Sequence, residues 1–186
     1  MELDRAIKER HTVRKFSTKS VDWRDVIKAI DRARLAPLAG NLPTLKFMLI
    51  LDKEKIKQIS AACQQEFVGK SQYLIIICSD ASQIIRSYDE RAKIYARQQA
   101  GAAIENFLLK LTELDLATCW IGYFSDELVK KALAIPEKIE VEAIFPIGYE
   151  MPPKGKQRIK PDLDSMMFFD KWGNKHMTPL KKPEAY

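Results

Sequence analysis

The sequence predicts a single domain mixing helices with buried strands, as either an α+β layout or a doubly wound sheet. Three observations carry that expectation. Short apolar runs, such as residues 73–78, alternate with segments of helical periodicity. One of those segments, roughly residues 87–114, is much longer than the rest. Beyond Tyr149 the chain turns rich in proline and lysine, with Pro152, Pro153, Pro161, Pro179 and Pro183, and reads as a trailing arm. The alternation suits a doubly wound sheet, whereas the long helix and the arm suit α+β equally well, so pattern alone leaves both open.

Residues 2–9 read as a short helix with Leu3, Ala6 and Ile7 on one face. Asp22 can cap a second helix, about 23–35, in which Val26, Ile27, Ile30 and Ala33 recur at helical spacing. Pro37 stops it, and Gly40 and Asn41 supply turn chemistry. Residues 47–51 and 73–78 read as strands on either side of a helix at about 53–66. Their hydrophobicity is continuous rather than alternating, which predicts that both strand faces are covered. In the long helix Ala100, Ala103, Ile104, Phe107, Leu108, Leu111 and Leu114 fall on one stripe, read first as core. The run Ala100-Gly101-Ala102-Ala103 also lets another backbone or a flat ligand approach closely, which makes a dimer contact the second reading. Residues 117–121 and 141–147 complete the strands, with a short helix at about 126–133 between them.

A chain of 186 residues, 46% hydrophobic and 30% charged, can bury a core and is not of disordered composition. No apolar run reaches transmembrane length, and the charged start, Met1-Glu2-Leu3-Asp4-Arg5, lacks the apolar region of a signal peptide, so the expected location is cytoplasmic. Cys63, Cys78 and Cys119 are isolated and lack CxxC spacing, which excludes a zinc ribbon and a thioredoxin motif. With only His11 and His176 as histidines, no metal site is expected. The net charge of +6 fits an anionic ligand; nucleic acid ranks low because no recognisable binding motif accompanies the charge.

The most informative stretch is Arg10-His11-Thr12-Val13-Arg14-Lys15-Phe16, which sets two guanidinium groups, a hydroxyl and an imidazole into five consecutive positions after the first helix. Arginines so spaced on an extended loop can grip an anion bidentately. No GxGxxG follows a strand and no GxxxxGK[ST] occurs, so a phosphate-bearing ligand must be held by side chains and loop amides. Arg10, Thr12, Arg158 and Lys160 are the candidates.

Four segments, in order and spacing, resemble the flavin-binding pattern of the FMN-dependent nitroreductase family. Residues 9–16 resemble its opening motif, and Arg32-Ala33-Arg34-Leu35-Ala36-Pro37-Leu38-Ala39-Gly40-Asn41 its second. Residues 99–109 with Leu116-Ala117-Thr118-Cys119-Trp120-Ile121-Gly122 resemble the third. Ile135-Pro136-Glu137 and Phe145-Pro146-Ile147-Gly148-Tyr149 lead on to the Arg158/Lys160 pair, so that a domain of residues 1–172 is followed by a tail, 173–186.

The resemblance implies an α+β homodimer, with a mixed central sheet flanked by helices, an extended C-terminal arm and FMN at the subunit interface. Arg10, Thr12, Arg158 and Lys160 would hold the phosphate and ribityl chain, and His11 would line the same loop. Arg14 would face the N1/O2 edge of the isoalloxazine, where two-electron reduction places negative charge. Pro37, Leu38, Ala39 and Asn41 would come from the partner subunit to the pyrimidine side of the ring. Gly122 and Tyr123 would lie beside N5. No side chain is then catalytic: NADH or NADPH gives hydride to N5, and nitroaromatic, quinone or flavin-type acceptors take it in a ping-pong cycle.

Two departures from the pattern are visible. Many members continue the second motif as Asn-x-Gln-Pro-Trp, where this chain has Asn41-Leu42-Pro43-Thr44-Leu45. The usual Gly-Gly is Gly122-Tyr123. The altered loop supports an alternative, a non-catalytic flavin-binding or basic interaction protein on the same fold.

Overall fold

Strand β2 (Tyr73–Ser79) is the centre of the fold: from Leu74 to Ser79 every residue is buried in the computed structural model. The structure describes residues 1–152 and 161–178. Two units can be distinguished, Met1–Gly155 and Lys156–Tyr186. In the first, β2 pairs antiparallel with β1 (Leu45–Ile50) and with β4 (Glu140–Gly148), and the two-residue β3 (Ala117–Thr118) pairs antiparallel with β4. The order is β1-β2-β4-β3. The fold is α+β, as the resemblance implies. A mixed sheet would need a parallel pairing, and among the described residues every pairing is antiparallel.

Helices cover both faces, which explains the unbroken apolar runs. Ile75 and Ile77 of β2, with Ala143, Phe145 and Ile147 of β4, pack against α2 (Trp23–Ala33) and α6 (Ala92–Glu113). Leu74, Ile76 and Cys78, with Ile144, face α3 (Lys53–Cys63) and α7 (Asp126–Leu133) instead. The period-two alternation of a strand therefore divides β2 between two cores rather than between core and water. Asp22, Asp52 and Ser125 each accept a backbone N–H at the start of α2, α3 and α7. Each such cap is worth about 1 kcal/mol.

Two expected helices are corrected. The segment read as 53–66 ends at Cys63, because Gln64 takes a left-handed conformation (φ 54°) before the one-turn α4 (Glu66–Gly69). The segment read as 87–114 is broken at Asp89 (φ 42°), giving α5 (Ser82–Tyr88), a single tight turn, and then α6. On α1 (Leu3–Glu9) only Ala6 is buried; Leu3 and Ile7 point outward at 63% and 45% exposure. The strand expected over 117–121 pairs continuously only at Ala117 and Thr118, with an isolated bridge at Ile121.

In the second unit, Asp162 caps the short α8 (Leu163–Met166), and Lys175 lies over the Phe168 ring at 4.0 Å from its centroid. Among the described residues no helix is long and apolar enough to cross a membrane.

Candidate functional site

The stretch from Arg10 to Ser17 is tied to the edge of the sheet by its backbone. Arg10 N–H closes α1 on the Ala6 carbonyl (2.9 Å), and Val13 N–H donates to the carbonyl of Thr118 (2.9 Å). Ser17 N–H donates to the Tyr149 carbonyl (2.8 Å) and Met151 N–H to that of Lys15 (3.0 Å). Between those bonds Phe16 lies so close over Gly148 that a Cβ there would meet its ring at 2.7 Å. Alternation then buries Val13 and sends Thr12 and Arg14 the other way.

This strap opens a cavity of about 230 Å³, walled by Arg10, His11 and Thr12 on one side and by Glu105, Thr118 and Trp120 on the other. The Arg10 side chain is mostly enclosed, and its Nε lies 3.8 Å from the Glu105 carboxylate. His11 sits between two acceptors: Nδ1 is 2.8 Å from the Glu9 carbonyl, and Nε2 is 3.0 Å from each carboxylate oxygen of Glu150. Thr118 Oγ1 is buried and has no hydrogen-bond partner among the described residues. An unsatisfied hydroxyl beside an enclosed guanidinium suits an oxygen-rich anion such as a phosphate ester.

Arg14 is exposed and lies beside Cys119. Burial pushes the Cys119 thiol up, and the nearby guanidinium offsets part of that rise. Cys63 and Cys78 are pushed up to about 11 by burial, so all three cysteines are packed thiols at neutral pH.

A second cavity, of about 510 Å³, is walled by Pro37, Leu38 and Ala39 opposite Tyr88, Tyr95 and Gln99. Gly40 (φ 59°) and Asn41 (φ 57°) turn the chain there in consecutive left-handed conformations, and a Cβ on Gly40 would meet the Tyr88 hydroxyl at 2.7 Å. Tyr88 and Tyr95 pack edge to face, 5.0 Å between centroids. Gly122 and Tyr123 are exposed past β3, and Trp120 stands against Phe145 with 5.7 Å between ring centres.

The predicted residues thus fall into groups. Arg10, His11 and Thr12 share the polar cavity; Pro37, Leu38 and Ala39 share the aromatic one, with Asn41 on the same turn. Both cavities are walled by α6, through Glu105 and through Gln99 respectively. Arg158 and Lys160 lie outside the described residues. Sequence reasoning gave no role to Thr118, Glu105, Gln99, Tyr88 or Tyr95. Thr118 and Gln99 stand inside quoted motifs, but nothing in a one-dimensional pattern marks their polar atoms as buried.

The profile of the Nitroreductase family matches residues 7–74 and 57–149. The chain belongs to the nitroreductase family. It is 30% identical over 145 residues to a protein of Archaeoglobus fulgidus provisionally named NADH dehydrogenase/NAD(P)H nitroreductase, covering 75% of this chain and 80% of that one. Among solved structures, a nitroreductase family protein from Clostridium novyi NT superposes with a TM-score of 0.75 at 29% identity, covering 94% of this chain and 96% of the other. An FMN-dependent nitroreductase from Clostridium difficile does so with a TM-score of 0.75 at 26% identity, over 90% and 98%. Both cavities are lined from within the matched residues, and the chain is an oxidoreductase of the nitroreductase family.

Proposed function

We propose that this oxidoreductase binds FMN at the interface of a homodimer, takes electrons from NADH or NADPH, and passes them to nitroaromatic, quinone or flavin-type acceptors. The observation that carries the reading is the polar cavity, with its enclosed Arg10 and its unpartnered Thr118 hydroxyl. Arg10, Thr12 and Thr118 would hold the phosphate and nearby ribityl hydroxyls. The His11–Glu150 pair would anchor the strap that carries them. When bound, FMN would supply the two-electron redox chemistry, which the ping-pong use of a donor and an acceptor requires.

The remaining residues divide the ring between them. Arg14 would stabilise the negative charge that arrives near N1 with two electrons. Gly122 and Tyr123 would bring a backbone N–H to N5. Pro37, Leu38, Ala39 and Asn41 of a second protomer would pack on the pyrimidine side. A dimer is supported by the apolar side chains left at the surface, among them Leu3 at 63%, Leu35 at 59% and Ile94 at 55% exposure.

The visible spectrum of the purified protein tests the reading, first alone and then anaerobically with NADH or NADPH. Flavin bands that bleach with the donor and return with a quinone are expected. A colourless protein that takes up no added FMN overturns the proposal; a coloured one that neither donor bleaches is the non-catalytic flavin binder.

A further inference from the structure

The aromatic cavity has a polar group set into its wall that neither the core nor the reading above employs. Gln99 lines it at 4% exposure. Its Oε1 accepts a 2.9 Å hydrogen bond from Oγ1 of Thr44, which is fully buried. Its Nε2 is buried and has no hydrogen-bond partner among the described residues. A buried amide donor left unmade costs about 1–3 kcal/mol, and such groups are rare enough that each calls for a partner supplied from outside. Between Leu42 and Leu45 the loop adds no further side-chain donor: Leu42, Pro43 and Leu45 have apolar side chains, and the Thr44 hydroxyl is committed to Gln99. That commitment also orients the carboxamide. With Oε1 engaged by Thr44, the NH₂ end is the one left for a ligand.

We propose that Gln99 donates a hydrogen bond from Nε2 to a carbonyl oxygen on the pyrimidine edge of the flavin seated against Pro37, Leu38 and Ala39, with Thr44 as its positioning residue. The inference rests on the flavin site proposed above. The ligand atom must be an acceptor, because Nε2 can only donate. Its depth, on an almost wholly buried side chain, favours the resident cofactor over an exchanging substrate.

The test compares the full-length wild type with Gln99→Leu/Thr44→Val, which removes both polar partners at similar volume. FMN is the probe, and three quantities are read: its Kd, the visible spectrum of the bound flavin, and the thermal midpoint of the FMN-free protein. The Kd should rise about threefold to tenfold, the size of one neutral hydrogen bond. The flavin bands should shift, and the midpoint of the FMN-free protein should hold or rise, because an unsatisfied donor has gone. Gln99→Glu provides a second variant that keeps an acceptor for Thr44 while losing the donor, and it should weaken FMN at least as much. Thr44→Ser keeps the hydroxyl and should restore wild-type affinity.

Unchanged Kd and spectrum in the double variant, with FMN bound normally by the wild type, would remove Gln99 from the flavin site. Weaker binding with a lowered FMN-free midpoint and an unshifted spectrum would make the pair structural, also overturning the assignment. Unchanged FMN binding with a raised KM for NADH would move the contact to the electron donor and overturn it too. A wild type that takes up no FMN would instead sink the flavin reading on which the inference stands.

Discussion

The two cavities along α6 are assembled from very different pieces of chain. The polar one draws Arg10, His11 and Thr12 from three consecutive positions, and only its far wall, Glu105, Thr118 and Trp120, comes from elsewhere. The aromatic one joins residues 37–39 to Tyr88, Tyr95 and Gln99, across about fifty to sixty positions. In the first, one backbone strap carries Arg10, His11 and Thr12 together. The second exists only once α5 has folded over the turn at Gly40. Loss of a side chain should therefore damage the first locally, whereas loss of backbone geometry should damage the second.

Arg10→Ala is the strongest way to break that comparison. Removing an enclosed, charge-assisted contact to phosphate should weaken FMN binding about tenfold to hundredfold while the circular dichroism spectrum stays unchanged, as read by fluorescence titration. A global loss of structure would show instead that the strap depends on its side chains to fold. Gly148→Ala tests the strap from the other side. Its new Cβ would lie 2.7 Å from the Phe16 ring, so stability should fall by about 1–3 kcal/mol in urea unfolding, with FMN affinity falling alongside it.

Gly40→Ala addresses the aromatic cavity. A side chain at φ 59° that also meets the Tyr88 hydroxyl should cost about 1–2 kcal/mol in thermal or urea unfolding. Its effect should centre on the Tyr88 side, leaving phosphate binding, measured with free phosphate as competitor, at the wild-type level. If phosphate binding falls equally, the two cavities are not independent.

Arg14→Ala should give the smallest effect. With the side chain exposed, the loss is about 1 kcal/mol, close to 20 mV in a two-electron potential, and FMN retention should change less than reduction does. The same change removes the charge that offsets burial at Cys119, so that thiol should rise further. Its reaction with a thiol reagent at pH 8 should slow; faster reaction would show that the guanidinium shields the sulfur rather than acidifying it.

Much of this was legible in one dimension. The helix expected over 126–133 matches α7, and its Ser125 cap and apolar spacing are purely local features. The continuous run at 73–78 announced a strand covered on both faces, because burial on two sides leaves no reason for alternation, whereas the run at 47–51, read the same way, forms the edge strand β1 and is mostly half-buried. The cluster at 10–14 was visible because its chemistry is contiguous. The breaks at Gln64 and Asp89 were not, since neither residue type forbids helix and the left-handed turn at each depends on what packs around it.

Composition, local periodicity and the four motifs by themselves determined most of the elements, the polar cluster at residues 10–14 and the family, because each is written in residues close together or in a fixed order. Only the tertiary structure decided which apolar residues stay outside, as Leu3 and Ile7 do, and which polar atoms are enclosed without partners. Thr118 Oγ1 and Gln99 Nε2 are ordinary polar atoms in the sequence. Burial is a property of everything packed around an atom, and that surrounding is contributed by segments brought together only when the chain folds.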